Sequence, residues 1–89
     1  MKRVRIIVSG EVQGVFFRKS AQEKATELGL AGWVKNLNNG HVLAEAEGEP
    51  AIVEQFITWC YRGPEQAMVA GVETENIPVE EDREFLVRR

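Results

Sequence analysis

The sequence predicts an α+β sandwich in which two helices pack on one face of an antiparallel sheet. Three observations carry that expectation. Val4, Ile6 and Val8 alternate at strand spacing, apolar residues recur at helical spacing in two later segments, and an Asn-Gly pair separates two further extended runs.

From Lys2 to Ser9, Val4, Ile6 and Val8 share one face while Arg3, Arg5 and Ile7 share the other, the pattern of a half-buried strand ending at Gly10. Phe17, Ala21, Ala25 and Leu28 then mark a helix over roughly residues 18–28, with Gly29 placed for a left-handed C-terminal cap. Residues 33–37 and 42–47 flank Asn38-Asn39-Gly40, which suits a tight hairpin turn. Pro50 fits the first turn of a second helix over roughly 50–61, whose Ile52, Val53, Phe56, Ile57 and Cys60 form an apolar stripe before Gly63-Pro64 stops it. Residues 68–77 and the later Phe85 and Val87 read as two more extended pieces, the first weakened by Ala70-Gly71. Residues 78–84 are acidic and turn-like. The resulting order β, α, β, β, α, β is the split-βαβ, ferredoxin-like arrangement, which hosts many functions, so only a site can choose among them.

With 89 residues, 44% hydrophobic and 28% charged, the chain is expected to form one domain over 1–89 with a single two-layer core and a shallow active surface. No apolar run reaches membrane-spanning length, and the alternating start lacks the uninterrupted apolar core of a secretory signal, so a soluble cytoplasmic protein with no membrane partner is expected. Cys60 is the one cysteine and His41 the one histidine, too few for an internal disulfide or a standard zinc site. No metal and no cofactor are expected, though carboxylates alone could still hold magnesium. A net charge of −3 opposes nonspecific nucleic-acid binding, and the strands lack the aromatic-basic motif of an RNA-binding version of this fold. Basic residues at 2, 3, 5, 18 and 19 precede acidic ones at 47, 49, 73, 75, 80, 81 and 82, which permits a local positive field near residue 18. Nothing in the sequence demands more than a monomer.

The stretch from Gly10 to Arg18 breaks a strand into a glycine-bearing turn and opens a helix with an arginine. A cation at a helix N-terminus costs a few tenths to about 1 kcal/mol unless an anion offsets it. Glycines at 10 and 14 let successive N–H groups converge as an anion nest, to which a guanidinium adds a two-pronged phosphate donor. The spacing is neither a Walker A nor a Rossmann fingerprint.

This segment, together with Gly32-Trp33-Val34-Lys35-Asn36, closely resembles the two signature regions of the acylphosphatase family, and Gly40, Gly48, Gly63-Pro64 and the Phe85 region extend the likeness over nearly the whole chain. The resemblance implies a small metal-free enzyme that hydrolyses acyl phosphates, with a small-molecule acyl phosphate as substrate and inorganic phosphate as product. It makes the N–H groups of Gln13, Gly14, Val15, Phe16 and Phe17 a cradle for phosphate oxygens and Arg18 their charged ligand. Asn36 then holds the attacking water. Asparagine is a weak base but a good positioner, which suits a substrate whose carboxylate leaves readily. Phe16 stands at a position that varies in the family, Asn39 replaces a frequent aspartate, and residues 66–76 match less well.

Other readings of the same residues stand beside this one. Arg18 is also a plausible surface residue paired with Glu11 or Gln22, and Asn36 a turn-flanking residue that satisfies its own backbone. Phe16 and Phe17 read as packing residues, as do Trp33 and Trp59. His41 is expected to face solvent and Cys60 to be a buried, inert thiol. The acidic residues from 73 to 82 read as a solvated face. A non-catalytic phosphate-binding module explains the loop and Arg18 but leaves Asn36 idle.

Overall fold

The computed structural model describes residues 1–89. Its elements are β1 (Lys2–Glu11), α1 (Phe17–Glu27), β2 (Ala31–Asn36), β3 (Val42–Gly48), α2 (Pro50–Cys60), β4 (Met68–Ile77) and β5 (Phe85–Val87). The strands form one sheet in the order β4-β1-β3-β2-β5. Val4, Ile6 and Val8 of β1 face the helices and are buried with Ala44 and Ala46 of β3, Phe17, Ala21 and Ala25 of α1, and Val53, Phe56 and Cys60 of α2. The α+β sandwich and its ferredoxin-like core are therefore as the sequence predicts. Gly29 caps α1 in a left-handed conformation, and the bonds Leu30 N–H to Ala25 O at 2.8 Å and Gly29 N–H to Thr26 O at 3.0 Å complete a Schellman motif.

Four local features differ from the sequence expectation. β1 runs on through Gly10 and Glu11, which pair with Val69 and Met68 across a register shift after Ser9; Gly10 thus belongs to a strand bulge, not to the loop. The hairpin between β2 and β3 is wider than a two-residue turn. Leu37 and His41 close it, Gly40 N–H bonds to Leu37 O at 3.2 Å, and Gly40 takes the positive φ, the three-residue form that pairs an ordinary turn with a bulge. The sheet is mixed, because β5 lies parallel to β2 in the pairs Gly32–Phe85, Trp33–Leu86 and Val34–Val87. β4 ends beside the start of β1, so residues 78–84 cross that end of the sheet and enter β5 in the direction of β2.

The fourth difference is Arg3. Alternation assigns it to the solvent side, yet it is 1% exposed on the face away from the helices. Its Nε donates to Glu45 Oε1 at 2.9 Å, and its Nη1 donates to Glu47 Oε1 at 3.1 Å and Asp82 Oδ2 at 3.0 Å. Glu80 approaches Nε to 3.7 Å. Nη2 lies 2.9 Å from Glu45 Oε1 but out of line for a hydrogen bond. Desolvation of Arg3 lowers its pKa, but bonds to Glu45, Asp82 and Glu47 with the field of Glu80 outweigh that, and the net shift is upward. Glu80 and Asp82 are therefore not an idle solvated face.

Strand direction is what positions the site. β1 and β2 point the same way, separated by the antiparallel β3, so their C-terminal ends emerge at one end of the sheet. The loop after Glu11 and the side chain of Asn36 consequently meet at the end opposite the Arg3 cluster.

Candidate functional site

The loop is fixed at both ends by apolar anchors. Val12 is 1% exposed, and buried Phe17 packs its ring 5.4 Å from that of half-buried Trp59, which stacks in turn on Phe56. Between the anchors, Gly14 has φ 74° and Phe16 φ 64°, a left-handed turn that ends at the start of α1. Phe16 offers no side-chain cap, and no acidic residue occupies the first turn of α1. None of the N–H groups of residues 13–19 donates to a backbone carbonyl or a side chain; the first bond of the helix is Ser20 N–H to Phe16 O at 3.0 Å. These donors lie beside the positive end of the helix dipole, so the local field favours a bound anion.

An open cleft of about 450 Å³ lies against this turn. Gly14, Phe16, Arg18 and Asn36 line it, together with Val87 of β5. Phe17 also touches the cleft, while Gln13 and Val15 do not line it. Val15 packs against the core. The Gln13 amide instead donates to Leu37 O at 2.7 Å and His41 O at 2.9 Å, fastening the loop to the hairpin that begins just after Asn36. Nothing in the sequence signals this bridge, because it depends on a carbonyl pair created by the hairpin.

Arg18 is half-buried and forms no ion pair; Nη1 makes one contact, to Arg88 O at 3.3 Å. The alternative partners are engaged elsewhere or absent: Gln22 donates to Phe85 O at 3.0 Å, and Glu11 lies in β1. Asn36 ends β2, and its Oδ1 is a buried acceptor with no hydrogen-bond partner. A buried, unpaired amide oxygen costs roughly 1–3 kcal/mol, which makes it a feature requiring an explanation. Turn-flanking self-satisfaction, the alternative reading of Asn36, does not occur.

The remaining candidates fall away from the cleft. His41 is half-buried in the hairpin, where its N–H bonds to Asn39 Oδ1 at 3.0 Å. Cys60 is 1% exposed and its thiol is pushed up to about 12 by burial, so no thiolate nucleophile is available. Trp33 packs on the open face under the Arg88 guanidinium at 5.0 Å. No helix is long and apolar enough to cross a membrane.

A short open cleft beside free main-chain N–H groups, lined by two uncommitted cations, Arg18 and the exposed Lys19, and by Asn36 with its unpartnered amide oxygen, has a field that favours a small anion. The class is thus an α+β domain of ferredoxin-like fold with an anion-favouring cleft at one end of its sheet. Comparison with known proteins narrows it further. The family model "Acylphosphatase" matches residues 4–87. A relative from Methylococcus capsulatus named acylphosphatase is 49% identical over 90 residues, covering 100% of this chain and 98% of its own. The structure of an acylphosphatase from Coxiella burnetii superposes with a TM-score of 0.95 at 47% identity, over 98% of this chain and 92% of that one. That of acylphosphatase from Bacillus subtilis gives 0.97 at 34% identity, over 100% of both. The chain belongs to the acylphosphatase family.

Proposed function

We propose that this chain hydrolyses acyl phosphates, the activity of its family, through the loop from Gln13 to Phe17, Arg18 and Asn36. The observation that carries the mechanism is that Asn36, whose buried Oδ1 has no partner, lines the same cleft as Arg18. The free N–H groups of the loop and the Arg18 guanidinium receive the phosphoryl oxygens and stabilise the charge that spreads over them in the transition state. Asn36 Oδ1 accepts one proton of a water, which aims an oxygen lone pair at phosphorus. As the new P–O bond forms, the P–O bond to the acyl group breaks with its electron pair, releasing a carboxylate. The water proton goes to a phosphate oxygen or to solvent, and inorganic phosphate remains. The leaving carboxylate needs little protonation, so an asparagine suffices where a poorer leaving group would demand an acid.

A phosphate-binding module without turnover uses the loop and Arg18 equally well but leaves Asn36 Oδ1 unexplained, which favours the hydrolase. We place the whole activity in one domain over 1–89, acting as a cytoplasmic monomer on a small-molecule substrate. The test is benzoyl phosphate hydrolysis in EDTA, with inorganic phosphate as competitor. Wild type is expected to turn over and to be inhibited by phosphate, and Asn36→Ala to lose roughly a hundredfold in kcat. Full activity in a folded Asn36→Ala protein would remove the water-positioning role, and phosphate binding without turnover in wild type would leave the binding module.

A further inference from the structure

Phe16 is the residue of the loop that packing does not account for. Its φ of 64° and ψ of 22° lie in the left-handed region, which a bulky side chain occupies only when its surroundings enforce it. Its ring is nevertheless 70% exposed, so the strained backbone delivers an aromatic side chain to solvent and not to the core. That overturns the packing role expected for it from sequence. Val87, 40% exposed, lines the same cleft. Both costs, strain and an exposed ring, fall on one residue that lines the cleft with Arg18 and Asn36, and its ring belongs neither to the core cluster nor to an aromatic pair.

We infer that Phe16 and Val87 form the acyl subsite of the cleft and select substrates with apolar, above all aromatic, acyl groups. The inference rests on the proposed placement of the phosphoryl group against the loop and Arg18. In-line displacement puts the leaving oxygen opposite the attacking water. Asn36 Oδ1 holds that water, so the acyl group extends away from Asn36 toward solvent, and Phe16 and Val87 are the exposed apolar side chains of the cleft lining. An aromatic acyl group there covers the Phe16 ring by offset or edge-on stacking and removes both apolar surfaces from water. Lys19 also reaches the lining, but it is exposed and solvent screens its charge, so it adds little preference for anionic acyl groups.

The test compares kcat/KM for benzoyl phosphate and acetyl phosphate in wild type, Phe16→Gly and Phe16→Tyr. Glycine accepts the left-handed conformation without strain, so the loop keeps its shape when the ring is removed. The benzoyl-to-acetyl ratio is expected to fall about three- to tenfold in Phe16→Gly, through KM for benzoyl phosphate, and to be retained in Phe16→Tyr. An unchanged ratio in Phe16→Gly overturns the subsite, as does a ratio lost equally in Phe16→Tyr. Asn36→Ala, measured alongside, lowers kcat for both substrates and leaves their ratio alone. A null result there sinks the catalytic reading, whereas the Phe16 ratio reports on the subsite separately.

Discussion

Arg3 and Arg18 stand at opposite ends of the region that β1 spans, and their surroundings are opposite too. Arg3 has no exposed side-chain surface and four carboxylates around it, from Glu45, Glu47, Glu80 and Asp82. Arg18 lies beside an open cleft with no carboxylate partner and a single 3.3 Å contact to a main-chain carbonyl. A guanidinium enclosed by carboxylates and shut off from solvent has no open side for a ligand. One held by a lone carbonyl keeps its fork free, and a chain of net charge −3 has left carboxylates out of this site while spending four on the other. The same contrast separates the two buried polar atoms that lack a hydrogen bond. Arg3 Nη2 still lies 2.9 Å from a carboxylate oxygen, whereas Asn36 Oδ1 has nothing. The difference teaches how one residue type becomes a structural clamp or a ligand site: the neighbours supplied by other strands decide.

The largest effect expected from breaking this contrast is on stability. Arg3→Met leaves Glu47 buried without a cation and Glu45 with Arg5 alone, whose Nη2 donates to Glu45 Oε2 at 3.0 Å, and the expected loss is about 3–5 kcal/mol in urea denaturation. The cleft lies at the other end of the sheet, so the folded fraction should keep its kcat. A loss below about 1 kcal/mol would show that the cluster is not a clamp. Arg18→Ala should do the reverse. Removing one donor to the transition state costs roughly a hundredfold in kcat and weakens inhibition by inorganic phosphate, while stability stays within about 0.5 kcal/mol. If Arg18→Ala instead unfolded the protein without touching the phosphate affinity of what remained folded, the two arginines would share one role.

How much of this was legible in the sequence depends on the range of the interaction. The stripes of Phe17, Ala21 and Ala25 and of Val53, Phe56 and Cys60 arise from local periodicity, and both helices form where it places them. β4, at 68–77, has the predicted bounds despite Ala70-Gly71, because pairing with β1 along its length overrides weak propensity. Gly14 and Arg18 could be read as an anion site from glycine chemistry and helix polarity alone. Asn36 could not. Its residue type is common near turns, and what singles it out, an amide oxygen deprived of partners, exists only once β2 and the loop meet; family resemblance was the one signal available. Arg3 was misread for a related reason. Alternation assigns faces but not what covers them, and Asp82 arrives from 79 positions away along a segment that looks like a solvated acidic turn. The parallel pairing of β5 and the Gln13 bridge to the hairpin are likewise products of chain path, invisible to any window of neighbouring residues.

The smallest effect tests whether the clamp itself is uniform. Glu80 is 59% exposed at its side chain and stands 3.7 Å from Arg3, so its attraction is screened by water and salt. Yet the same residue donates its main-chain N–H to Glu47 Oε1 at 2.8 Å, a bond to a buried carboxylate that a side-chain change leaves in place. Glu80→Ala should therefore cost no more than about 1 kcal/mol, and the difference from wild type should shrink further in about 1 M salt, where the Debye length falls to roughly 3 Å. Denaturation at low and high salt decides it. A loss near that of Arg3→Met, insensitive to salt, would mean that the Glu80 carboxylate belongs to the buried charge balance, and that the 78–84 segment is held by its side chains. A small, salt-sensitive loss would mean that the Glu80 side chain adds little and that its segment is held by the main-chain bond to Glu47 and by the Asp82 bond to Arg3.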